Sequence, residues 1–149
     1  MSLKEMLVAD MKEAMKAKEV GKLKLSVIRL VKAAIQNEEI DKGHELSDEE
    51  VIDVMARELK KRKDVLPDYQ KSGRDDAVSQ LQEEMSILQT YLPQQFTEEE
   101  IRLMVQEAIQ QTGAQGPKDM GKVMKEVIQK TKGRADGKIV NNLVKELLE

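Results

Sequence analysis

The side chains that could do chemistry in this sequence are cations gathered near its carboxy-terminal end. Lys118, Lys122, Lys125 and Lys132 recur at intervals of four, three and seven residues. On a helix such spacing places residues on one face. Arg134 and Lys138 carry the charge through a glycine-bounded turn, Gly133-Arg134-Ala135-Asp136-Gly137. A line of ammonium and guanidinium groups on a rigid element is what contact with a phosphate backbone requires. Solubilising lysine on an exposed helix has the same spacing, so the pattern admits both a nucleic-acid contact surface and a solvated face. The net charge of −3 argues against bulk attraction to nucleic acid. Its distribution is uneven, however: residues 113–149 set eight cations against five carboxylates, whereas residues 77–112 set Arg102 alone against six glutamates.

Other chemistry is thinly provided for. The sequence has no cysteine, which removes disulfides, thiolate nucleophiles and cysteine metal sites together. His44 is the only histidine and sits in the polar stretch DKGHELS, where a solvated loop residue is expected rather than a general base. The acidic triplets Asp48-Glu49-Glu50 and Glu98-Glu99-Glu100 stand where first helical turns begin and complement the helix dipole there. Neither a phosphate loop nor a dinucleotide fingerprint occurs. No catalytic residue, metal ligand or cofactor is therefore assigned. Lys60-Lys61-Arg62-Lys63 is the densest basic run, but four consecutive helical residues point about 100° apart, so it reads as a solvated surface encircling its helix.

These cations must be positioned by helices. Charged residues make up 36% and the aromatics are only Tyr69, Tyr91 and Phe96; the apolar residues fall at intervals of three and four rather than two. An all-α protein is predicted. Ser2/Glu5, Ser47/Glu50 and Thr97/Glu100 each have the capping-box spacing that opens a helix. Gly21, Gly43, Gly73, Gly113 and Gly133 mark stops or corners. Pro67 falls inside the third helix and predicts a kink, or an end within a few residues closed by Gly73. Pro93 ends the fourth helix, predicted over 75–91.

The stretch Tyr91–Phe96 is the predicted boundary between an amino-terminal lobe of about four helices (1–95) and a carboxy-terminal three-helix lobe (96–149), with Tyr91 and Phe96 anchoring the junction. In the second lobe Met120, Val123, Met124, Val127 and Ile128 form a buried stripe. Gly133 takes the left-handed position that closes that helix. Asp136 caps the next one, so any phosphate contact falls to Lys and Arg side chains rather than to backbone N–H groups. The start of the chain has no apolar run long enough for a signal peptide or a membrane span, and a cytoplasmic protein without membrane partners is expected.

Several segments go beyond generic helices. The order MGKVMKEV followed by KGRADGKIVNNLVKELL resembles the carboxy-terminal signature of the GatB/YqeY family. RLVKAAIQNEEI, RELKKRKD, SGRDDAV and TYLPQQFTEEEI resemble the amino-terminal part of stand-alone bacterial YqeY proteins, and the likeness covers nearly the whole chain. Pro67 departs from the family pattern, which is usually helical there. The resemblance implies a two-lobed helical fold. Its second lobe is similar to the tail of the GatB subunit of the glutamine-dependent amidotransferase that corrects mischarged Glu-tRNA and Asp-tRNA. In that enzyme the tail is implicated in gripping tRNA, while the amide chemistry lies in other domains and subunits.

The family label, carbon–nitrogen ligase with glutamine as amido-N-donor, is inherited by association, since neither an ATP site nor a glutaminase nucleophile is recognisable. The resemblance thus points to a tRNA-binding or amidotransferase-associated accessory protein, non-catalytic by itself. The alternative it leaves is a protein–protein adaptor docking on an amidotransferase or synthetase without touching RNA. Direct amide transfer is the third reading.

Overall fold

The computed structural model describes residues Met1–Glu149 and contains seven α-helices and no strand. They are α1 (Leu3–Lys16), α2 (Lys22–Lys42), α3 (Asp48–Lys71), α4 (Asp75–Tyr91), α5 (Glu98–Thr112), α6 (Met120–Thr131) and α7 (Gly137–Leu148). The all-α expectation holds. The chain divides into two compact units, Met1–Leu92 and Pro93–Glu149, holding α1–α4 and α5–α7 respectively. No helix is long and apolar enough to cross a membrane.

Local sequence explains most helix ends. The Ser47/Glu50 and Thr97/Glu100 boxes are both closed in two directions. Ser2 only accepts, from the Glu5 N–H at 3.1 Å. A second unpaired N–H at the start of α1, that of Leu3, donates instead to Asp48 Oδ1 at 3.0 Å, a long-range cap supplied by α3. Gly43, Gly73 and Gly113 adopt φ of 76°, 70° and 68° where α2, α3 and α5 stop, as left-handed positions favour glycine. Pro67 does not break α3, which runs four residues further to Lys71. It cannot donate to the Lys63 carbonyl, but Pro67 is exposed and water can serve that acceptor.

Unit 1 is built on Leu7 of α1, Val27, Ile28, Val31 and Ile35 of α2, Val51, Val54, Met55 and Leu59 of α3, and Leu88 of α4. The apolar spacing of Leu23, Val27, Leu30, Val31, Ala34 and Ile35 predicts a stripe for α2 that the structure rotates: Ile28 is fully buried and Leu30 is 43% exposed. α2 packs against α1, α3 and α4 together, so its buried arc is set by three neighbours. The basic run on α3 needs a similar correction, because it is not wholly solvated. Arg62 is 9% exposed, with Nη1 donating to the Glu58 carbonyl at 2.9 Å and Nη2 to Glu84 Oε1 of α4 at 3.2 Å. Tyr91 donates its hydroxyl to Asp10; burial, reinforced by that carboxylate, holds the phenol well above its ordinary pKa.

Unit 2 packs α5, α6 and α7 mutually. Its core comprises Ile101, Val105 and Ala108 of α5, Val123 and Val127 of α6, and Val140, Leu143, Val144 and Leu148 of α7. Of the predicted α6 stripe, Val123 and Val127 are fully buried, Met120 and Met124 are partly buried against the core, and Ile128 is 44% exposed. Arg102 of α5 pairs with Glu146 of α7 at 3.2 Å.

Candidate nucleic-acid interface

The corner between α6 and α7 is the most constrained part of unit 2. α6 ends when Lys132 turns to φ −53°, ψ 123°. Gly133 follows at φ 74°, a left-handed conformation that costs a residue with a Cβ more than it costs glycine. The Arg134 N–H then returns to the Thr131 carbonyl at 2.8 Å. Thr131 is itself buried, its hydroxyl donating to the Val127 carbonyl at 2.9 Å. Asp136 caps α7 by accepting from the Lys138 N–H at 2.9 Å. The donors at this helix start are thus shared with a carboxylate, which opposes an anion there, as the sequence predicts.

The segment before α5 is fastened to this corner. The Phe96 N–H donates to the Arg134 carbonyl at 2.8 Å. Arg134 Nε donates to the Gln94 carbonyl at 2.8 Å, and the guanidinium lies over the Phe96 ring, 3.7 Å from its centroid. Gln95 Nε2 donates to the Gly133 carbonyl at 3.0 Å and to the Pro93 carbonyl at 3.2 Å. These bonds place residues 93–95 with the second unit rather than the first. Phe96 therefore anchors unit 2, and Tyr91 anchors unit 1. The sequence marks Tyr91–Phe96 only as a boundary and does not reveal this clamp, since the partners are 38 and 40 residues apart and no periodic pattern links them.

The six predicted phosphate contacts are thereby sorted. Lys122 and Lys125 are exposed on α6, opposite the Val123–Val127 face by helical geometry. Lys138 is exposed in the first turn of α7. None of the three forms an ion pair. Lys118 is exposed but lies in a 3-10 turn, Pro117–Asp119, ahead of α6. Three residues per turn there do not carry its direction onto the α6 face. Lys132 is the residue that follows α6, at its C-cap, and it already has an intramolecular interaction. Arg134 is half-buried and committed through Nε and its π-face to the clamp.

On α6 itself stand the exposed pair Lys122 and Lys125, and Lys138 is a separate exposed position on α7. The structure also adds one residue. Lys145 is exposed and stands seven residues after Lys138 with Asn142 between them, so α7 presents an outward line at four- and three-residue spacing. The same spacing rule could have found it.

Elsewhere His44 is exposed in the α2–α3 loop, its Nδ1 2.8 Å from the Glu45 carbonyl. No three His, Asp or Glu side chains converge to hold a metal ion.

Known proteins resemble the chain over part of its length. It is 36% identical over 87 residues to "altered inheritance of mitochondria protein 41, mitochondrial" of Vanderwaltozyma polyspora, covering 58% of this chain and 46% of that one. The protein of the same name in Kluyveromyces lactis is 38% identical over 86 residues, covering 57% and 45%. That of Saccharomyces cerevisiae S288c is 34% identical over 90 residues, covering 60% and 48%. The chain therefore spans about half the length of these relatives. A family profile described as Yqey-like protein matches residues 4–148, nearly the whole sequence, and the chain belongs to that family.

Proposed function

We propose that the protein is a tRNA-binding accessory factor, associated with aminoacyl-tRNA amidotransferase chemistry and non-catalytic by itself. The observation carrying this reading is the set Lys122, Lys125 and Lys138: three exposed ammonium groups on the ends and outward faces of two packed helices, each without a carboxylate partner. Such groups hold a polyanion by releasing its counterions, and the strength of that hold falls as salt rises. Their setting fits recognition of RNA by shape and phosphate, because the single aromatic of unit 2, Phe96, is covered by Arg134 and does not offer a stacking platform. The amide chemistry itself would lie on a partner.

The test is charge reversal, Lys122→Glu/Lys125→Glu/Lys138→Glu, with tRNA affinity measured at two salt concentrations. Arg134 is left intact, since changing it would disturb the clamp. The parent should lose affinity as salt rises, and the variant should bind at least about tenfold more weakly at low salt, with a salt slope shallower by roughly 2–3. Affinity indifferent to both salt and these changes would remove the reading. A pull-down from nuclease-treated lysate tests the adaptor alternative: a protein partner retained after RNA is gone, with no tRNA binding by the purified chain, would replace it.

A further inference from the structure

Unit 1 contains a more concentrated cationic surface, at the corner where α1 meets α2. Between residues 12 and 29 stand Lys12, Lys16, Lys18, Lys22, Lys24 and Arg29 against only Glu13 and Glu19. The rest of that unit has ten cations against seventeen carboxylates. All six cations are exposed. Their one ion pair, Lys16 with Glu13 at 3.8 Å, is itself largely solvated. Lys12 and Lys16 lie opposite the buried Leu7–Ala14 face of α1, and Lys22, Ser26 and Arg29 lie opposite the buried Val27–Val31 face of α2.

The stability of the corner does not account for this arrangement. α2 has no side-chain cap and no acidic residue in its first turn, where Lys22 and Lys24 stand instead. The amino-terminal end of α2 is thus charged against the helix dipole. Lys18 is the only non-glycine residue with positive φ, at 54°, a conformation disfavoured for a residue with a Cβ. Broken local rules gathered at one place are the mark of a functional surface rather than of a stabilising one.

We infer that the α1–α2 corner is a second RNA-contact surface, which grips phosphate backbone through Lys16, Lys22 and Arg29. The inference rests on the reading above, that the chain binds RNA. Backbone contact follows from the residues: cations and the Ser26 hydroxyl are present, and neither helix holds an aromatic side chain for stacking on bases. Recognition here is tolerant of sequence and sensitive to salt.

The test uses the full chain with Lys16→Gln, Lys22→Gln and Arg29→Gln combined, and a fluorescein-labelled tRNA transcript as probe. Affinity at low salt should fall at least about tenfold and the salt slope should become shallower by roughly 2–3. Helix content should be unchanged and the melting temperature no lower, because Lys22→Gln removes a charge that opposes the dipole. Val20→Ser, at the 93% exposed tip of the same corner, should leave RNA affinity as it was. If the triple variant binds like the parent while Lys122, Lys125 and Lys138 still matter, the inference is wrong and the proposed function stands. A parent chain that does not bind the transcript at all would sink both. Vesicles containing phosphatidylserine supply the remaining arm: vesicle binding abolished by Val20→Ser, with RNA affinity untouched by the triple variant, would make the corner a lipid-facing one and overturn the inference.

Discussion

Arg134→Ala should destabilise unit 2, and the size of the effect can be worked from its contacts. The substitution removes a charge-assisted hydrogen bond to the Gln94 carbonyl and a guanidinium stacked 3.7 Å from the Phe96 centroid. Buried hydrogen bonds to charged groups contribute about 1.5–3 kcal/mol, but Arg134 is only half-buried, so roughly 1 kcal/mol is reasonable. A cation–π contact at a partly exposed site adds about 0.5–1 kcal/mol. The sum, about 1.5–2 kcal/mol, corresponds to a midpoint shift of roughly 1 M urea at a slope of 1–2 kcal/mol/M. The aromatics provide the assay, because both tyrosines lie in unit 1 and unit 2 has only Phe96. A tyrosine-detected transition follows the first unit, whereas far-UV ellipticity follows all seven helices. The ellipticity curve should move to lower urea, with the tyrosine curve much less affected. Arg134→Lys should recover under half of the loss, since an ammonium keeps the charge but offers neither the planar face nor the Nε donor. Coincident curves for the parent and Arg134→Ala would refute the clamp. Full rescue by lysine would show that charge matters and geometry does not.

Two glycines predict opposite signs for one substitution. A Cβ on Gly21 would sit 2.2 Å from the Ala14 carbonyl oxygen, so Gly21→Ala should destabilise by about 1–3 kcal/mol. A Cβ on Gly121 meets nothing within 4 Å, and Gly121→Ala should stabilise by roughly 0.5–1 kcal/mol; thermal melts of the two variants check both signs. Acid should weaken the first unit. The Ser47 N–H, then Lys42, hold the Glu50 carboxyl down to about 2, and Lys4 with the Leu46 N–H lowers that of Glu39. Folded pKa values below the unfolded ones mean that this stability is fully present above about pH 4.5 and is lost as pH falls toward 2. Urea midpoints measured across that window should drop, and Glu50→Gln should show a smaller drop than the parent.

Much of the fold is legible locally because its determinants are local. The span of α4, Asp75–Tyr91, follows from Gly73 before it and Pro93 after it, and two complete capping boxes lie where Ser47/Glu50 and Thr97/Glu100 place them. What escapes is set by neighbours distant in sequence. Ile28 rather than Leu30 is buried because α2 is covered from three directions. Arg62 turns inward because Glu84 awaits it on α4. Gly21 reads as a corner residue, but its φ is −90°; the need for glycine comes from the Ala14 backbone beside it. The lysine row is only partly legible for a related reason, since equal spacing implies one face only while the helix lasts, and Lys118 lies in the 3-10 turn ahead of α6.

The two basic corners differ in a way that bears on function. At the α6–α7 corner each local choice agrees with the fold: glycine in the left-handed position, aspartate at the cap, arginine held in a clamp. Agreement of that kind stabilises, and the charges left over, Lys122, Lys125 and Lys138, are free to act because nothing structural depends on them. At the α1–α2 corner the local choices conflict with the helix dipole and with backbone preference: the first turn of α2 has no side-chain cap and no acidic residue, and Lys18 takes a positive φ. A helix whose amino-terminal turn holds Lys22 and Lys24 is better complemented by an external anion than by anything in its own chain. The corner most recognisable in sequence is thus the one whose conspicuous residues serve mainly the fold, and the strained corner is where a ligand would gain most by binding.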